Sequence, residues 1–101
     1  MVTTMSDRLS QLLAATRHAV LDGAASTDTA VRRQVASGQP PPDLAVLVQK
    51  IRDCAYTVTD DDVDLLRTRY TEDQLFELIV AATIGAAGDR LNAALDAVER
   101  A

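Results

Sequence analysis

Residues 71–100 read TEDQLFELIVAATIGAAGDRLNAALDAVER, and how this run divides into helices decides the fold. Thr71 with Gln74 three positions on has the spacing of a capping box, so a helix is expected to begin here. Phe76, Val80, Thr83, Ala87, Leu91, Ala94 or Leu95, and Val98 recur at helical spacing and keep one face through Gly85 and Gly88. The spacing therefore predicts one helix of about 28 residues, roughly 42 Å at 1.5 Å per residue, rather than two broken at a glycine. From Leu75 to Ala87 it is apolar almost all round, which requires burial on more than one side. Ala82, Gly85 and Ala86 make a small-residue patch that another helix can approach closely, and in so short a chain the second surface is expected to be another subunit. Phe76, Ala82, Gly85 and Ala86 are thus the candidate oligomer interface. On helix propensity alone, Gly85→Ala is expected to be neutral or slightly stabilising.

Upstream, residues 53–73 read DCAYTVTDDDVDLLRTRYTED and hold the only cysteine, Cys54. Leu44, Leu47, Val48, Ile51 and Cys54 or Ala55 form one face of a preceding helix. Thr59 is expected to cap a short helix, with Asp60, Asp61 and Asp62 in its first turn, where the helix dipole favours negative charge. The chain begins with a helix expected to be capped by Ser6 and to carry Leu9, Leu12, Leu13, Thr16 and Val20 on one face, ending near Asp22-Gly23. A second short helix over about 28–37 pairs Arg32-Arg33 with a thin stripe of Val31 and Val35 and stops at Gly38. The prolines of GQPPPD lack backbone donors, so 39–42 reads as an extended spacer between an N-terminal helical arm, 1–38, and a compact core, 43–101. All of this describes one all-α domain of about five helices.

Composition agrees, because aromatics are scarce, Trp is absent, and Leu, Val, Ile and Ala must build the core. The net charge is −5, with six basic and four acidic groups in 1–52 against two basic and eight acidic in 53–77. No basic face is apparent, so nucleic acid is a poor partner. One cysteine excludes an internal disulfide and, with no secretory leader at the start, points to the cytoplasm. No apolar run reaches the length of about 18 residues that a membrane span needs.

Each candidate site has a plain structural counterpart. Cys54 is expected to fill space on a helix face, since free cysteine packs as a small hydrophobe and Asp53, Asp60 and Asp61 would oppose a thiolate. The aspartates lack the alternating ligands, central glycine and terminal glutamate of a calcium loop, so no metal and no cofactor is expected. Glu77 sits in the most apolar segment and needs a partner, with Arg52, Arg67, Arg69 or Arg90 the candidates for an ion pair. His18 is expected to be partly exposed on the first helix, and Tyr56 and Tyr70 to pack at the edge of the core. Cys54, Tyr56 and Glu77 are the residues around which a pocket is sought.

The order of features over 43–99 resembles the carboxymuconolactone decarboxylase and alkylhydroperoxidase D-like superfamily: an apolar helix, a cysteine near its end, an acid-capped short helix, then TEDQLFELIVAATIGAAGDRL. The redox members of that family carry Cys-x-x-Cys-x-x-x-His. Setting Cys54 on the first cysteine places Thr57 on the second, Asp61 on the histidine, Arg69 on a glycine and Thr71 on the capping serine, without a gap; the family's upstream acid falls near Pro42-Asp43. In the family the second cysteine attacks peroxide and the first resolves it. A threonine hydroxyl has no thiolate state, and Cys54 alone has no intramolecular disulfide partner. The resemblance thus implies a divergent, non-catalytic structural or interaction subunit that assembles through apolar helix faces, as a homo-oligomer or with a related subunit. The alternatives are a one-cysteine thiol peroxidase or small lyase of that family, and a small-molecule carrier or sensor with a pocket between the third and last helices.

Overall fold

The computed structural model of the protein describes residues 4–100, and among them there are five α-helices and no strand. These are α1 (Met5–Asp22), α2 (Thr29–Ala36), α3 (Ala45–Cys54), α4 (Asp60–Leu66) and α5 (Glu72–Arg100), with 3-10 turns at Pro42–Leu44 and Ala55–Thr57.

The caps explain where the helices start. Thr59 Oγ1 accepts from the Asp62 N–H at 3.3 Å while the Asp62 carboxylate accepts from the Thr59 N–H at 2.9 Å, so one of the clustered aspartates closes a capping box. Thr71 and Gln74 exchange the same pair of bonds, at 2.9 and 3.1 Å, and open α5. At α1 the cap is Thr4 rather than Ser6, because Thr4 and Asp7 have the box spacing and make both reciprocal bonds. Gly38 ends α2 as expected, in the left-handed region at φ 81°, with the Gln39 N–H donating to the Gln34 carbonyl at 2.9 Å.

The 29-residue α5 is continuous through both glycines and forms the spine of an elongated molecule, 52 × 29 × 18 Å. α1, α2 and α3 all pack on it. Its inward face is Leu75, Leu78, Ala81, Ala82, Gly85, Ala86 and Gly88. The stripe from Phe76 to Val98 lies on the opposite side, with Phe76 69% and Val98 72% exposed. The small-residue patch is therefore an intrachain contact: Ala82, Gly85 and Ala86 are buried within one chain, and of the four candidate interface residues only Phe76 is free to meet a partner. The helix that comes close is α2, whose Ala36 backbone lies directly over Gly85. α2 is consequently no detached arm, since Val35 and Ala36 are 0% and 1% exposed and belong to the same core as Leu44, Leu47, Val48, Leu66, Leu75 and Leu78.

α1 runs antiparallel to α5. Leu13 lies beside Gly88, and the loop after α1 reaches Glu77 near the start of α5. By length and composition α5 is also able to cross a membrane, with a mean hydropathy of 1.2 over its apolar window, 33% of which is buried in the fold. This corrects the expectation that no apolar run is long enough for a membrane span, because a helix tolerates one or two charges within the window.

Candidate functional site

Cys54 ends α3, and the backbone then turns through Ala55–Thr57, carrying the thiol away from the Leu47, Val48 and Ile51 face into solvent. It is not a core filler. Thr57 Oγ1 donates to the Cys54 carbonyl at 2.7 Å, which ties the turn down locally and leaves the sulfur without a hydrogen-bond or ion-pair partner among the described residues. Asp61 is exposed on α4. Asp62 turns the other way, to Lys50 on α3 at 2.7 Å, and that hydrogen bond leads the causes that hold its carboxyl below the usual carboxylate range. The aspartate cluster thus caps α4 and ties it to α3. Among the described residues no group of three or more His, Cys, Asp or Glu side chains is placed to hold a metal ion.

Asp43, at the position set on the family's upstream acid, lies before α3 and Cys54 at its far end. Ten helical residues, about 15 Å, stand between them. Asp43 instead accepts the Tyr70 hydroxyl at 2.7 Å and faces Arg69 at 3.6 Å. Burial, then the bond to Asp43, pushes the Tyr70 phenol up. Tyr70 is a core-edge residue as expected, but Tyr56 is 88% exposed.

Among the described residues Glu77 finds no arginine ion pair. Its carboxylate accepts from the backbone N–H groups of Ser26 at 2.7 Å and Thr27 at 2.9 Å, and from Thr27 Oγ1 at 3.2 Å, so it clamps the loop between α1 and α2 onto α5. Desolvation raises this carboxyl, but the Ser26 and Thr27 bonds and the nearby Arg32 charge together outweigh it and leave the group below its usual range. A shallow cavity beside Glu77 is bounded by Ala24, Ser26, Asp73 and Phe76, and neither Cys54 nor Tyr56 lines it. This cavity therefore does not bring the three pocket candidates together.

Arg32, one of the basic pair set beside the Val31 and Val35 stripe, is 3% exposed. Its guanidinium donates to the Val20 carbonyl at 2.8 Å and to Thr29 Oγ1 at 3.1 Å, while Nε has no partner among the described residues. The signal was present, because Arg32, Val35 and Ala36 stand at i, i+3 and i+4 and share one helical face. His18 is exposed on α1, as expected, and pairs with Asp22 at 3.0 Å.

No protein-family model, curated protein or solved structure matches this chain.

Proposed function

We propose that the chain is a non-catalytic subunit of a homo-oligomer, of the alkylhydroperoxidase D-like kind, serving structure or protein interaction. The observation that carries this reading is the two-sided apolarity of α5. One side is filled by its own chain; the other offers Phe76, Val80, Thr83, Ala87, Leu91, Ala94 and Val98 along about 33 Å of helix. Leu12, on the neighbouring α1, is 65% exposed as well. A second copy brings the same stripe, so a two-fold pairing covers both at once. The solvent-facing thiol has no hydrogen-bond or ion-pair partner among the described residues, and this supports a role outside peroxide chemistry.

Sedimentation and light scattering test the reading. The parent should run well above its 10.8 kDa monomer mass at micromolar concentration, and Phe76→Glu, which plants a charge in the stripe without touching the buried face, should shift it toward monomer. A monomeric parent, or a parent that floats with neutral liposomes because the stripe faces lipid, would sink the proposal.

The exposure of Cys54 favours one other reading, a one-cysteine peroxidase. There the thiolate sulfur would attack a peroxide oxygen, release the alcohol and become a sulfenic acid that an external thiol must reduce. Turnover with an ordinary dithiol should be negligible. Cys54→Ser should shift stability by no more than about 0.5 kcal/mol, as surface changes do. Robust turnover abolished by Cys54→Ser would promote the enzyme.

A further inference from the structure

A groove of about 500 Å³ lies between α1 and α2, away from Cys54 and from the outward stripe of α5. Arg17, His18 and Arg33 line it against a single carboxylate, Asp22, in a chain whose net charge is −5. That carboxylate is already engaged, by Arg33 at 2.6 and 2.8 Å and by His18 at 3.0 Å. These bonds, Arg33 first, hold Asp22 below the usual carboxylate range. Arg17 has no carboxylate within ion-pair distance among the described residues, although it is half-buried between α1 and α5 with a guanidinium nitrogen close to Gly88. Gln34 and Ser37 add polar groups on the α2 side, whereas Ala14, with the edge of the buried Leu21 behind it, supplies an apolar wall.

An unpaired, partly desolvated guanidinium is a strong site for a planar oxyanion, because its forked donors match a carboxylate in two bonds. The apolar wall beside it sets the rest of the ligand. We infer that the groove between α1 and α2 binds a small organic acid, its carboxylate on Arg17 and its apolar body against Ala14 and the edge of Leu21. An inorganic anion would satisfy the arginine and leave the wall uncovered, so the body of the ligand contributes part of the affinity.

Benzoate is the probe, followed by amide NMR titration of the full chain. Saturable shifts should be confined to residues 14–22 and 33–37. Arg17→Gln should weaken binding by about tenfold or more, the loss expected for a hydrogen bond to a charged group. Arg8→Gln, on the same helix but outside the groove, should bind like the parent. Ala14→Leu keeps every charge and fills the wall, so it too should weaken benzoate, which keeps the test decisive should Arg17→Gln fold poorly. Absence of saturable shifts, shifts unchanged in Arg17→Gln, or inorganic phosphate binding as tightly as benzoate would each overturn the inference. None of these outcomes depends on the oligomeric state.

Discussion

Gly85→Ala should destabilise the protein by about 1–3 kcal/mol, even though alanine at a helical glycine is ordinarily worth about 1 kcal/mol in the other direction. A Cβ at this position would overlap the Ala36 carbonyl oxygen and lie 2.7 Å from the Ala36 carbonyl carbon and Cα. These are backbone atoms, and they cannot rotate aside. The same carbonyl accepts from the Arg52 guanidinium at 2.9 Å, and Arg52 is itself paired with Asp89 on α5, so the end of α2 is held from both sides. Adding one methyl group means moving a whole helix out of a core in which Val35 and Ala36 are almost fully buried. Gly88→Ala provides the contrast. Its Cβ would make an ordinary 3.5 Å contact with Leu13, so propensity should prevail and the variant should gain up to about 1 kcal/mol. Each kcal/mol corresponds to about 4–8 °C in Tm for a domain near this size, so thermal unfolding separates the two variants easily. Equal shifts of the same sign at both positions would mean that α2 does not pack on Gly85 as described.

The two glycines also mark how far the sequence can be read. Thr59 and Thr71 announce their helices because a capping box is a local event, complete within four residues. The continuity of α5 was equally legible, since its apolar period runs through both glycines without a change of phase. Which face turns inward was not. Both sides of α5 are apolar, and side-chain size alone would bury Phe76; the close approach of α2 instead favours the side that has almost no side chain, and that contact joins residues about fifty positions apart. For Cys54 the helical period placed the thiol with Ile51, but the helix gives way to a 3-10 turn at that point and the period no longer applies. Glu77 was rightly read as needing a partner. The partner was hidden because it is backbone, the N–H groups of Ser26 and Thr27, and no residue type signals those.

Arg32→Met should cost about 1–3 kcal/mol, though methionine nearly preserves the buried stem. Replacing a buried charge by an apolar side chain is often harmless, and the unpartnered Nε argues for that outcome here. Against it stands what the arginine leaves behind. The Val20 carbonyl, in the last turn of α1 where helical partners run out, would lose its donor, and Thr29 Oγ1 would lose its bond. The Glu77 carboxylate would also lose a nearby positive charge that helps to hold its pKa down. The sign of the pH effect follows. A carboxyl with a lowered folded-state pKa stabilises the fold above its ordinary value, 4.5 here, and that stabilisation is lost as pH falls through the folded value. In Arg32→Met the Glu77 pKa should rise toward 4.5, and the acid-side loss that Glu77 contributes should shrink. Because the Arg32 charge acts on the Glu77 carboxylate, Arg32→Met with Glu77→Gln should cost less than the sum of the single changes in a double-mutant cycle. Strict additivity, or a single Arg32→Met variant as stable as the parent with an unmoved Glu77 pKa, would show that the arginine is merely buried beside the clamp and does not support it.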